Sequence, residues 1–392
     1  MTPTQADLGM LDKFPEDSSS LPTGPCRILV VTNLYPSATQ PTYGVFVKNS
    51  VEGLSQVGCD IVRVVAIKGR GKTLIGRLLK YLSFYISVLG SGITLEYDLL
   101  YVHYPPHCAL AVLALQSLKK RKLVVNIHGS DVGHEIVPDP TIASRVLFRL
   151  TDALLKKASL IVVPSSYFES VVRRKFRIKE DIVYVSPSGG VDPQQGIEDE
   201  RNTARRAYGL TGEFVMGYVS RLDQDKRWDV FLRAARLFAD SHFGIKLRLV
   251  VVGDGVSKGE FLQLADKLGL NLFLSYLGAK RQSELREVFS LMDVFVFPTM
   301  KESLGLVGLE AMACGIPVIG SRIGALVEYI KDNENGFLFN PGDYRELATL
   351  LARYHKLPRS ERVRLSRNAF QTSLSYDRRS INSRLANRLW KL

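Results

Sequence analysis

Two carboxylates, Glu302 and Glu310, stand eight positions apart in the run KESLGLVGLEAMACGIPVIG (301–320), with Gly305 and Gly308 between them. The residues before them, VFVFP (294–298), read as a buried strand. Residues 299–305 then form a loop, and a helix starts near Leu306. The first turn of such a helix has unpaired N–H groups at the positive end of a dipole, which suits a phosphate. Gly305 lets that backbone approach a ligand closely. Glu310 falls about one turn inside the helix, in an otherwise apolar stretch, and a carboxylate is rarely buried without a partner. It can accept hydrogen bonds from sugar hydroxyls; the same pattern fits a glutamate that caps amides or pairs with a core arginine.

Three further groups fall at strand ends. In GYVSRLDQDKRWD (217–229), Arg221 and Lys226 are five apart across a turn. Two cations converging there could neutralise a diphosphate leaving group, although surface solvation is the common fate of any one Lys or Arg. NIHGSD (126–131) sets His128 and Asp131 at another strand end; the histidine could donate to a ligand hydroxyl, act as a base, or be structural. PTYGVFV (41–47) puts Gly44 just before a helix, as a close-approach glycine or a plain turn. Neither this loop nor VVGDGVSKG (251–259) completes the G-x-G-x-x-G pattern of a dinucleotide site. Walker lysine, G-x-S-x-G, H-E-x-x-H and D-x-D patterns are absent too. No metal site is expected, so protein cations and helix dipoles would carry any leaving-group charge.

Positioning these residues falls to short, β-branched, apolar segments alternating with helical ones. The first series is 27–36, 60–67, 98–103, 122–129, 159–165 and 181–189, with a helix at 44–58. The second is 214–220, 247–253, 272–278, 294–298 and 317–320, with helices at 228–240, 258–268, 282–291 and 306–314. Alternation of this kind implies parallel sheets covered on both faces. The expected fold is α/β: two doubly wound domains, 26–195 and 205–377, facing across a cleft. A polar linker and short helix join them, and a final helix, 378–392, packs back on the first domain. Ligands of open α/β sheets bind beyond the carboxyl ends of the strands, where Gly44, His128, Arg221 and Glu302 all fall.

Composition adds partners. The 392 residues suit two cores, and the net charge of +13 points to an anionic partner. Residues 26–192 hold 21 Lys and Arg against 12 Asp and Glu. Residues 68–90 mix Lys68, Arg70, Lys72, Arg77 and Lys80 with leucines and aromatics, like an interfacial helix on anionic lipid. The runs at 119–122 and 173–175 extend that patch. Nucleic acid is not expected, because the basic runs lack interleaved aromatic platforms. Four scattered cysteines indicate a reducing compartment. Residues 1–25 read as a flexible tail without a secretory signal. The expected location is cytoplasmic, at the inner face of the plasma membrane.

These pieces together resemble the retaining glycosyltransferases of the GT-B fold, family four. ESLGLVGLEAMACGIPVI (302–319) is similar to that family's E-x7-E signature, and SRLDQDK (220–226) to its Arg…Lys phosphate pair. VVGDG (251–255), LSYLG (274–278) and MDVFVFPTMKES (292–303) resemble its second-domain landmarks in order. Residues 35–58 resemble the first loop and helix of members that build bacterial cell-surface polysaccharides. The resemblance implies a nucleotide-sugar donor, first choice UDP-glucose, and no cofactor. Arg221 and Lys226 would bind the diphosphate together with amides of Leu306 and Val307. Glu302 and the backbone at Ser303, Leu304 and Gly305 would hold the sugar, and Glu310 the ribose. Tyr276, Leu277, Gly278 and Ala279 would read the base, mainly through backbone. His128 would contact the sugar near the breaking bond, Gly44 would border the donor, and Asp131 would face the acceptor, a saccharide or lipid-linked oligosaccharide. Departures from the family pattern are a single Gly44 where a Gly-Gly pair is common, Ser303 for Gly, Leu304 for Phe, and Gly129 for Asp. Two other functions fit the same residues: a UDP-sugar epimerase of this fold, and a non-catalytic membrane-docking protein.

Overall fold

The computed structural model describes residues 26–40, 43–69, 73–129, 131, 141–194 and 198–392. The expected tail 1–25, and Arg70 and Lys72, lie outside them. The first domain runs β1 (Arg27–Tyr35), α1 (Val45–Gln56), β2 (Asp60–Lys68), α2 (Leu74–Thr94), β3 (Leu99–His103) and α3 (Ala109–Leu118). It continues with β4 (Lys122–Asn126), α4 (Ile142–Leu155), β5 (Leu160–Val163), α5 (Ser166–Phe176) and β6 (Val183–Val185). The second domain begins at α6 (Glu198–Ala207) and β7 (Phe214–Val219), then α7 (Trp228–Ser241), β8 (Leu247–Val252), α8 (Lys258–Lys267) and β9 (Leu274–Tyr276). Next come α9 (Gln282–Ser290), β10 (Val294–Phe297), α10 (Leu306–Ala313), β11 (Val318–Ser321), α11 (Leu326–Tyr329) and β12 (Gly336–Phe339). Helices α12 (Tyr344–Lys356), α13 (Arg359–Leu374) and α14 (Arg378–Trp390) end the chain.

Both sheets are six-stranded and parallel, ordered β2-β1-β3-β4-β5-β6 and β12-β11-β10-β7-β8-β9. In each, the chain moves outward from a central strand and then crosses to its other side. The reversal falls between β1 and β3 in the first sheet and between β7 and β10 in the second, and these are the points where a crevice opens for ligands. Helices α2 to α5 cover one face of the first sheet, and α1 with α14 the other. In the second domain α7, α8 and α12 cover one face, and α9, α10 and α13 the other. The inner strands are buried on both faces, as their continuous apolar runs require, whereas the edge strands β2, β6 and β9 are only partly buried. Leu385, Ala386 and Leu389 of α14 pack with Val47, Val51 and Leu54 of α1, so the chain returns to its first domain.

Three differences from the sequence reading have local causes. The sixth strand is only Val183–Val185 rather than 181–189, because Pro187 has no N–H and Ser188, Gly189 and Gly190 take positive φ. The helix expected at 68–90 runs from Leu74 to Thr94, since Thr73 caps it by accepting from Gly76 N at 3.1 Å. The second sheet has a sixth strand, β12, which four residues led by a glycine had not signalled.

Candidate functional site

The second domain supplies the charged half of the cleft. After β7 the chain makes a tight turn at Gln224–Lys226, and after β10 it enters the loop that carries Glu302. Lys226 Nζ lies 2.6 Å from Glu302 Oε1, to which Thr299 Oγ1 also donates at 3.3 Å. Only 12% and 17% of the two charged side chains are exposed. Arg221 does not join them: 69% of its side chain is exposed and its guanidinium pairs with Asp223. The expected convergence of two cations is therefore one half-buried ammonium and one arginine at the rim.

Gly305 ends the loop at φ +84° as the residue before α10. A Cβ there would come within 2.7 Å of Leu326 and 2.9 Å of Phe297, so only glycine fits. Tyr329 Oη donates to Gly305 O at 3.0 Å and fixes the turn. Leu306 and Val307, half-buried, then open the helix with no side-chain cap. Leu304 is buried in the second core, so its side chain anchors the loop and only its backbone is left for a ligand.

Glu310 lies half-buried in the wall of a cavity of about 500 Å³ that Asn49 and Glu52 of α1 and Gln282 and Arg286 of α9 also line. Lys226 and Glu302 are not in that wall; they stand apart, at the strand ends. Burial raises the Glu310 carboxyl above its usual range, opposed by the bond that Gln282 Nε2 donates at 2.8 Å. That answers what the carboxylate holds: Gln282, whose Oε1 accepts from Asn49 Nδ2 across the cleft at 2.7 Å. At the expected base-reading segment, Leu277 N donates to Val251 O and Gly278 O accepts from Gly253 N. Tyr276 Oη donates to Gly253 O at 2.8 Å, so much of 276–279, ahead of Ala279, is engaged with the end of β8.

The first domain supplies the facing wall. Gly44 sits before α1 at φ +71°, and a Cβ would fall 2.6 Å from the Leu34 carbonyl carbon. The His128 ring packs on Phe46 at 4.6 Å between centroids. Asp131 is buried, and its carboxylate accepts from His128 N at 2.9 Å and Gly129 N at 2.7 Å. It shapes the loop that presents His128, instead of facing an acceptor as expected. Burial pushes the His128 imidazole down to about 3.

Ser303 joins the halves. Its Oγ donates to His128 O at 2.6 Å, and its carbonyl accepts from Ser165 Oγ at 2.5 Å. Ser165 also accepts from Phe168 N as the cap of α5. Nearby, the Glu328 carboxylate accepts from Tyr167 N at 2.5 Å and Ser166 N at 3.2 Å. Sequence reasoning missed Ser165, Gln282, Asn49, Glu328 and His103. His103 alone had a signal: it ends a strand, as Asn126 just before His128 does.

Two family models match the chain: "Glycosyltransferase Family 4" over residues 27–195 and "Glycosyl transferases group 1" over 200–372. N-acetyl-alpha-D-glucosaminyl L-malate synthase of Bacillus anthracis is 29% identical over 249 residues, 63% of this chain and 62% of its own length. D-inositol 3-phosphate glycosyltransferase of Stackebrandtia nassauensis is 34% identical over 236 residues, 58% of this chain and 52% of its own. The matched segment thus spans only half to three-fifths of these curated relatives. Anabaena Alr3699/HepE, solved with UDP, superimposes with a TM-score of 0.74 at 20% identity, covering 93% of this chain and all of that one. It has also been solved with UDP-glucose.

Proposed function

The chain belongs to glycosyltransferase family four, and from that premise we propose that it transfers a sugar from a nucleoside diphosphate donor to a hydroxyl, with retained anomeric configuration. One observation carries the reading. A half-buried ammonium (Lys226), a carboxylate (Glu302) and an uncapped helix start behind Gly305 meet at the switch point of one sheet, facing His128 on the other. On this reading Lys226 and the first amides of α10 hold the diphosphate, and Arg221 swings from Asp223 to close over it. Glu302, released from its ion pair, accepts from the donor sugar. Glu310 exchanges Gln282 for a ribose hydroxyl. The acceptor attacks from the face that the diphosphate leaves, and a phosphate oxygen takes its proton. Each donor to the leaving group is worth about 3–4 kcal/mol in comparable oxyanion sites. UDP-glucose is the first choice of donor, supported by the Anabaena neighbour solved with it.

The acceptor we propose is a saccharide carried on lipid at an anionic membrane surface. Leu74, Ile75, Leu78, Leu79, Leu82 and Ile86 of α2 are each more than half exposed, and Ile142 of α4 is exposed beside Arg145. Arg77 is exposed on α2, and Arg145 and Arg149 are exposed on α4, in a strongly basic domain. An apolar stripe flanked by arginines is complementary to acyl chains beneath anionic head groups. The basic runs at 119–122 and 173–175 contribute less than their charge implies: Lys119 bonds Leu95 O, Arg121 pairs with Glu96, and Arg173 with Glu180. No helix among the described residues is long and apolar enough to cross a membrane.

A thermal-shift screen with UDP, GDP and ADP sugars tests the donor. A ligand at 100 times its Kd stabilises by about 2.7 kcal/mol, and no shift with any sugar nucleotide would refute the reading. Product analysis then separates transfer, which forms a new glycosidic bond, from epimerisation, which releases free sugar.

A further inference from the structure

His103, the last residue of β3, is completely buried. Its Nδ1 lies 3.0 Å from His128 Nε2, and the two ring planes differ by 14°. Imidazole N–H bonds and lone pairs lie in the ring plane, so nearly parallel rings suit an N–H···N hydrogen bond. The other nitrogen of His103, Nε2, is buried without a hydrogen-bond partner among the described residues. Burial disfavours the cationic form of both rings, so one proton lies between them and each ring keeps one N–H.

Two arrangements satisfy that count. If His128 Nε2–H donates, His103 carries its own proton on Nε2 and buries an unpaired N–H. If His103 Nδ1–H donates, Nε2 buries only a bare lone pair. Orphaned buried N–H groups are the rarer and costlier defect. The partner of one ring nitrogen fixes the state of the other. Nδ1 of His128 has no partner among the described residues, and the rest of the residue is held: Phe46 packs on the ring, Ser303 grips the carbonyl and Asp131 the amide.

We infer that His103 is a positioning residue: it holds His128 as the Nδ1–H tautomer, so that the second histidine meets the cleft as a hydrogen-bond donor and not as a base. Its consequence for turnover rests on the nucleotide-sugar reading above, whereas the tautomer itself does not.

Long-range 1H–15N correlation spectra of the full chain with labelled histidines, recorded without ligand, read tautomers directly. We expect His128 as Nδ1–H in the wild type and in His103→Asn, whose amide nitrogen takes the place of Nδ1. In His103→Phe it should become Nε2–H. With UDP-glucose and a working acceptor, His103→Phe should lower kcat about 10- to 100-fold. Its donor KM should stay within about threefold of wild type, and His103→Asn should recover most of the rate. An Nε2–H His128 in the wild type overturns the inference, as does a tautomer unchanged in His103→Phe, or a switched tautomer with unchanged kcat. Should the Phe variant not fold, the wild-type and His103→Asn spectra decide. Should no sugar nucleotide be turned over, the functional reading fails, and the spectra still decide the tautomer.

Discussion

Lys226 gains its importance from where its charge ends. Most cations of this chain lie in solvent, but this one is half-buried against Glu302 and Lys301 O at the loop before α10. Lys226→Ala should lower kcat about 10²- to 10³-fold and abolish the UDP thermal shift, with the far-UV spectrum unchanged; a wild-type rate would end the assignment. Gly44 is constrained by backbone rather than charge. An alanine at φ +71° costs about 1–2 kcal/mol, and its Cβ would meet Leu34 at 2.6 Å. Gly44→Ala should therefore lose at least about 2 kcal/mol of stability in urea. His128 predicts a pH dependence. Its unfolded imidazole takes a proton near pH 6.5, whereas the folded one refuses it down to about 3. The unfolded state thus binds more protons between those values, so stability falls as pH falls through that window. The limit is about 1.4 kcal/mol per pH unit for each such group. Urea midpoints at pH 7 and 5 should converge in His128→Phe relative to wild type. Residue types were readable in the sequence, and Glu302, Lys226 and Gly305 stood out by placement at strand ends. Their partners did not: Gln282, Ser165 and Glu328 sit in ordinary helix-start positions that any sequence offers many times.

At the scale of elements, apolar period carried most of the information. Runs such as RILVVTNLY and LRLVVV can only be strands buried on both faces, and each lies in a parallel sheet. The weakest signals belonged to the shortest elements, β6 and β12, where three or four residues give no period to read. Helix α2 shows how one pattern serves two surfaces. Phe84 and Val88 face the core, while the leucines of its opposite face have no partner among the described residues. Leu78→Glu with Leu82→Glu should abolish co-sedimentation with anionic vesicles and leave the melting temperature within about 2 °C, because neither side chain is buried. If binding to phosphatidylglycerol vesicles survives both substitutions, α2 is not the docking element. Helix α14 is the reverse case: its hydrophobicity is low on average, yet Leu385 is buried against α1. Leu385→Ala should cost about 2–5 kcal/mol in chemical denaturation.

At the scale of the molecule, polar contacts join the two domains across the cleft. Ser303 bonds both His128 O and Ser165, Gln282 bonds Asn49, and Glu328 receives the first amides of α5. Burial raises the Glu328 carboxyl above its usual range, against the two N–H donors that lower it. Such a contact closes the cleft without cementing it. Glu328→Ala should open the apo protein, seen as a larger radius of gyration by small-angle scattering, and should raise donor KM several-fold with a smaller effect on kcat. By itself the sequence determined the two parallel sheets, their helical cover and the loops that face a ligand, because period, glycine placement and strand ends are local properties of the chain. Only the tertiary structure decided which side chains meet. It paired Lys226 with Glu302, turned Arg221 outward, put Asp131 on backbone amides and set His103 against His128. Those contacts join residues brought together by strand order and domain closure, and a hydrogen bond's sub-ångström geometry leaves no trace in the spacing of letters.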